Sequence, residues 1–198
     1  MKRKEGWLIR SPEKKPIHIN NNVFVIIDFE TTGLSAKNGD DICEVAAVKL
    51  SNGQIIAPHF SKLVNPCCPI SPGASAVNNI TDEMVKNAPK FAEICDEFIR
   101  FIGTGVIVGH HLPFDMSFLD LKLTQMRKPK LENDTLDTLR LARRLWPALP
   151  SFKLPDLRRH FGIEIKDEHR ALGDVVATAE LLRIILEDYQ KKGKKEIV

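Results

Sequence analysis

The strongest constraint on this chain is a short apolar run that ends in two acids, Val23-Phe24-Val25-Ile26-Ile27-Asp28-Phe29-Glu30. The run is too short for a helix and rich in β-branched residues, so it reads as a buried strand. On a strand, residues two apart point to the same side, and Asp28 and Glu30 therefore project their carboxylates into one spot. A core strand gains no packing from ending this way, and unpaired the two acids raise each other's pKa. A divalent cation between them removes that penalty. Taken alone, an Asp-x-Glu at a strand end is more often a pair of solvated carboxylates.

Two later segments bring more of the same chemistry. Val106-Ile107-Val108-Gly109-His110-His111-Leu112-Pro113-Phe114-Asp115 is a second β-branched run, followed by a glycine, a polar corner and Pro113 at a first helical position. Asp115 then falls in the first turn of a helix, where a carboxylate also pairs favourably with the positive helix terminus. His169-Arg170-Ala171-Leu172-Gly173-Asp174 leads into an amphipathic helix with Arg183, Glu187 and Asp188 toward water. Five positions correspond to about 140° on an ideal helix, so His169 and Asp174 do not share a face. Asp174 belongs to the first turns of the helix and His169 to the loop before it. Alone, His169 fits a surface loop histidine.

Together these segments resemble the three exonuclease motifs of the DEDDh branch of the DnaQ-like 3′–5′ exonucleases. The matching text is Asp28-Phe29-Glu30-Thr31-Thr32-Gly33-Leu34, then Gly109-His110-His111-Leu112-Pro113-Phe114-Asp115, then His169-Arg170-Ala171-Leu172-Gly173-Asp174. Motif order and spacing agree over about residues 22–190. The connecting text is also similar at Asp41-Ile42-Cys43-Glu44-Val45-Ala46-Ala47-Val48, Ile80-Thr81-Asp82-Glu83-Met84-Val85 and Asp137-Thr138-Leu139.

The resemblance implies an α/β, ribonuclease H-like fold, with a five-stranded mixed sheet flanked by helices. It implies a metal-dependent 3′–5′ exonuclease of epsilon-like, proofreading or repair type that releases nucleoside 5′-monophosphates from DNA 3′ ends. Two ions, Mg²⁺ or Mn²⁺, are implied as cofactors. By the same resemblance Asp28 would bridge both, Glu30 and Asp174 would complete the site of the ion that carries the nucleophile, and Asp115 would support the other. The resemblance also implies that His169 would take the proton from the attacking water, an ordinary histidine pKa of about 6.5 keeping the basic form in supply near neutrality. For the terminal nucleotide, the resemblance implies sugar contacts from Thr31 and Thr32, a wedge against the last base from Leu34, and Phe114 beside the sugar. Core packing is the plainer reading of Leu34 and Phe114. His110, His111 and Asn78 join this substrate-positioning set. Many relatives read Gly-His-Asn where this chain has His111 in the asparagine position. Many also carry a histidine and a glycine where it has Asn78 and Asn79.

An exoribonuclease of the same fold is an alternative, because two-metal attack makes no use of the 2′-hydroxyl and discrimination depends on contacts to it. A binding module that has lost catalysis is a third reading. It requires one of the five key residues to be missing, and none is. The implied partners are single-stranded nucleic acid 3′ ends, DNA ahead of RNA, and a DNA polymerase, with no membrane.

At 198 residues and 43% hydrophobic composition, one domain with a sizeable core is expected. Its divisions are a basic N-terminal extension over 1–21, an exonuclease domain over 22–190 and a short basic tail over 191–198. Trp7, Leu8 and Ile9 give the extension a means of docking on the body. Net charge is only +3, which excludes a global basic field as the means of recruiting nucleic acid. Cys43, Cys67, Cys68 and Cys95 lack metal-ligand spacing and no signal peptide or membrane span is seen, so reduced thiols in a cytoplasmic protein are expected. Strands over 41–50 and 54–64 joined at Ser51-Asn52-Gly53, a helix around 90–102, a strand over 105–109 and a short helix closed by Gly162 complete the pattern.

Overall fold

The computed structural model describes residues 16–19, 22–165 and 170–197. In chain order the elements are β1 (Ile17–His18), β2 (Phe24–Thr31), β3 (Ile42–Ser51), β4 (Gln54–Leu63), α1 (Pro72–Asn78), α2 (Asp82–Val85) and α3 (Phe91–Ile102). Then come β5 (Val106–Gly109), α4 (Pro113–Gln125), β6 (Thr135–Asp137), α5 (Thr138–Leu145), α6 (Leu154–Phe161), α7 (Ala171–Lys191) and β7 (Glu196–Ile197). A five-stranded sheet has the order β4-β3-β2-β5-β6, with β2 at its centre. β2 runs antiparallel to β3 and parallel to β5, so the sheet is mixed, as expected.

β2 is central because both of its faces are apolar, the pattern of a strand covered on two sides. Val25, Ile27 and Phe29 belong to one core cluster, with Phe98 of α3 and Phe118, Leu119 and Leu123 of α4. Phe24 and Ile26 belong to the other, with Val175, Ala179 and Leu182 of α7. By the same alternation Asp28 and Glu30 lie on the α7 face of the sheet. The turn between β3 and β4 places Asn52 (φ 51°) and Gly53 (φ 75°) in the left-handed region, as a tight two-residue hairpin requires.

Several elements lie outside the sequence expectation. β6 has three residues and leads directly into α5, too short a run for periodicity to register. β1 pairs antiparallel with β7, Ile17 opposite Ile197 and His18 opposite Glu196, and the His18 Nδ1 to Glu196 Oε1 distance is 3.1 Å. Ile17, Ile19 and Ile197 are buried in the cluster shared with α7. Residues assigned from sequence to an extension and a tail thus pack together on the body, because two-residue strands carry too little pattern to be read in advance. Trp7, Leu8 and Ile9 lie outside the described residues. Among the described residues no helix is long and apolar enough to cross a membrane, and the four cysteines are free.

Phe98 is fully buried, with ring centroids 5.7 Å from Phe29 and 5.2 Å from Phe60. Phe98→Ala is therefore expected to destabilise the fold by about 3–5 kcal/mol in urea unfolding. A loss below about 1 kcal/mol would show that this cluster does not hold the acid-bearing end of β2.

Candidate active site

Three elements deliver acids to one end of the sheet. β2 contributes Asp28 and Glu30, and the first turn of α7 contributes Asp174. Each of the three offers a carboxylate oxygen within 4.8 Å of the others. Asp115, in the first turn of α4, is buried and approaches from the β5 side. β5 pairs with β2 only as far as Ile26 opposite Val108, so the next backbone donors of β2 need another acceptor. Asp115 Oδ1 supplies it, accepting from the Phe29 N–H at 3.0 Å. The bond locks Asp115 between the two acids of β2.

The electrostatics are those of crowded, desolvated acids. Burial raises the Asp28 carboxyl well above its ordinary range, and Asp115, Glu30, Asp174 and Glu44 push it further. Glu30 is pushed up to about 7, first by burial and then by Asp174 and Glu44, against a hydrogen bond from the Asn78 side chain and the charge of Arg170. Burial pushes Asp115 up to about 7, against the hydrogen bond from Phe29 N–H. A set of three converging hard oxygen donors fits Mg²⁺ or Mn²⁺ and does not fit a soft metal.

Around this cluster most of the expected nucleotide-binding residues are engaged by the protein itself. Thr31 Oγ1 donates to the Gly33 carbonyl at 2.6 Å. Thr32 Oγ1 accepts from the Asp41 N–H at 3.0 Å. Asp40 accepts from the Ser35 N–H at 2.9 Å, and a Cβ on Gly33 would lie 2.3 Å from the Asp40 carboxylate, so a side chain there would displace the group that braces the loop. The loop so shaped holds Leu34 out in solvent at 87% exposure, which rules out core packing for that side chain. Asn78 is buried; its Oδ1 accepts from the Ile80 N–H and its amide faces Glu30. Asn79 adopts φ 58° at the end of α1, a conformation asparagine tolerates nearly as glycine does.

The corner after β5 is also self-supporting. Both ring nitrogens of His110 have protein partners, Thr138 Oγ1 at 2.9 Å and the Phe152 carbonyl at 2.8 Å, and burial lowers its pKa. His110 thus braces the corner and has no ring nitrogen left for a nucleotide. His111 sits at φ 73°, a conformation in which asparagine and histidine are both enriched, so the departure from Gly-His-Asn preserves the backbone. Its exposed ring stacks on Phe114 at 6.4 Å. Phe114 in turn packs on Phe118 at 5.2 Å. His169 lies outside the described residues.

The sequence reading assigned no role to three residues that shape this site. Asp137 accepts from the N–H groups of His111 and Leu139, both at 3.0 Å, tying the corner to the start of α5. Glu44 is buried on β3 directly opposite Glu30 and binds Arg170. One signal was available for Glu44, a carboxylate inside the otherwise apolar run Ile42–Val48.

The exonuclease family model (RNase_T) matches residues 25–182. The chain belongs to that family. It is 38% identical over 199 residues to a PolC-type DNA polymerase III of Clostridium perfringens, covering 98% of this chain and 13% of the relative. It is 40% identical over 173 residues to a DNA polymerase III subunit epsilon-like protein of Rhodobacter capsulatus, covering 86% of this chain and 24% of the relative. The chain therefore spans 13% and 24% of the length of these two relatives. Among solved structures, Exonuclease X in complex with 5′-overhanging duplex DNA superposes with a TM-score of 0.68 at 30% identity, over 86% of this chain and 93% of that one. E. coli Exonuclease I with a dT13 oligonucleotide superposes at 0.75 with 21% identity, over 87% of this chain and 43% of that one, and shows the fold alone. The fold is the expected ribonuclease H-like one, and residues 25–182 form an exonuclease domain of this family.

The raised carboxyls set a pH dependence for the metal-free protein. Burial pushes the folded-state pKa of Glu30 and Asp115 up to about 7, from ordinary values of 4.5 and 3.8. Between those limits the native state binds more protons than the unfolded one, so stability is lost as pH rises toward 7. In chelator, the melting temperature is expected to fall between about pH 4.5 and 7, and Mn²⁺ to restore it chiefly at the higher pH. Asp28→Asn is expected to raise the metal-free melting temperature at high pH by roughly 2–4 °C, by relieving repulsion. No rise in that variant would contradict the crowding.

Proposed function

We propose that this exonuclease removes nucleoside 5′-monophosphates from DNA 3′ ends, with Asp28, Glu30, Asp115 and Asp174 holding Mg²⁺ or Mn²⁺ and His169 acting as general base. The observation that carries the reading is the meeting of Asp28, Glu30 and Asp174 carboxylates from β2 and α7 within 4.8 Å. When bound, two divalent ions supply Lewis acidity that promotes ionisation of water and offsets charge on a phosphodiester.

The remaining work falls to the chain's own side chains. His169, five positions before Asp174 in sequence, takes a proton from the attacking water on a ring nitrogen. Leu34, exposed on its braced loop, offers an apolar contact to the terminal base. The stacked rings of His111 and Phe114 offer a second flat surface beside it. His110, with both ring nitrogens bound to protein groups, and the buried Asn78 shape the pocket, while the Thr31 hydroxyl can still accept and the Thr32 hydroxyl can still donate to a terminal sugar.

DNA is favoured as substrate by the DNA polymerase III names of the relatives and by the DNA bound to Exonuclease X. A DNA polymerase is proposed as the working partner, in the same chain or as a separate subunit, and the cytoplasm as the location. Matched 5′-labelled DNA and RNA single strands test this reading in Mg²⁺, Mn²⁺ or chelator. A ladder shortening from the 3′ end, dependent on metal and stronger on DNA, is expected. Asp28→Ala should abolish it. His169→Ala should lower kcat by about 10²–10⁴-fold while leaving end binding largely intact. A preference for RNA would overturn the substrate, and a wild-type rate for His169→Ala near neutral pH would overturn the base.

A further inference from the structure

Glu44 and Glu30 are direct partners across β2 and β3, so two like charges face each other on one side of the sheet. Like charges directly opposite are destabilising. Glu44 is nonetheless 2% exposed. Both of its oxygens are taken. Arg170 Nε donates to Oε1 at 3.2 Å and to Oε2 at 3.0 Å, Arg170 Nη2 donates to Oε1 at 2.6 Å, and the Ala171 N–H donates to Oε2 at 3.1 Å. Glu44 is thereby committed to protein donors on both of its oxygens.

The partner's place in the chain gives the contact its meaning. Arg170 is the residue at which α7 begins, and no side chain of its own caps the helix. The orphan N–H of Ala171 is satisfied from β3 instead, by a carboxylate at the positive end of the helix. Asp174 follows within the first turn, and residue 169 immediately precedes Arg170. Fixing residue 170 on the sheet therefore fixes the start of α7 and the acid in its first turn.

We propose that Glu44 and Arg170 form a positioning clamp that sets α7 against the sheet, and with it Asp174 relative to Asp28 and Glu30. The forked guanidinium is essential to it, because a lysine supplies the charge without the two-point grip. The proposal rests on the exonuclease reading of the site for its effect on rate, and on geometry alone for its effect on the acid cluster.

Two readouts separate those dependences. Mn²⁺ affinity is measured by electron paramagnetic resonance, and kcat and KM on a short DNA strand, for wild type, Glu44→Gln, Arg170→Lys and the double variant. Circular dichroism melts supply the folded fraction used to normalise each value. Mn²⁺ affinity and kcat are expected to fall about 10–100-fold in each single variant, as for other residues that orient metal ligands. KM should stay within about twofold, raised Mn²⁺ should partly restore kcat, and the double variant should be no worse than the poorer single one. Wild-type Mn²⁺ affinity in both single variants would overturn the clamp, as would losses that multiply in the double variant or full function in Arg170→Lys. A wild type that binds Mn²⁺ and shows the expected affinity pattern without cutting DNA would uphold the clamp and overturn the exonuclease reading.

Discussion

Crowding of carboxylates at the end of β2 is the interaction to which the rest of this structure responds. Asp28 and Glu30 share a side because strand residues alternate, and α7 adds Asp174 to the same spot. Such a cluster opposes folding in the absence of cations, because burial and mutual repulsion disfavour the charged forms. It is held together by packing elsewhere. Phe29, between the two acids, faces the opposite core and locks against Phe98, while Phe24 and Ile26 pack under α7. Stability is thus supplied by two apolar layers and spent at the one place where chemistry needs strain, as expected where function limits stability.

The loops around the cluster follow the same logic. Asp115 is drawn in by an unpaired N–H of β2, Asp137 secures the His110–His111 corner, and Asp40 shapes the loop that presents Leu34. Each uses a side-chain carboxylate to satisfy a backbone donor that the sheet or helices leave open. The outcome is a braced surround that presents Leu34 and the stacked His111 and Phe114 rings, groups suited to base contacts.

Much of this was legible in the sequence because it rests on local rules. The β-branched run, the Pro113 helix start, the Asn52-Gly53 turn and the Gly162 helix end each carry their own signal, and all are where they were expected. The trio of acids was legible for the same reason, strand alternation combined with motif order. What could not be read is non-local. Glu44 meets Arg170 across 126 positions, and β1 meets β7 across nearly the whole chain. Nor does a sequence show which polar side chains are already satisfied. Thr31, Thr32 and His110 were expected at the nucleotide, whereas the structure engages their polar side-chain atoms with the protein.

The central claim is that these acids are paired with cations and that their protons leave when the cations bind. Isothermal titration of Mn²⁺ into the protein near neutral pH, in two buffers of different ionisation enthalpy, tests it most directly. Binding with net proton release, lost in Asp28→Asn, is the expected result, because Glu30 and Asp115 both titrate at about 7. Binding without proton release, or binding unchanged in Asp28→Asn, would contradict it.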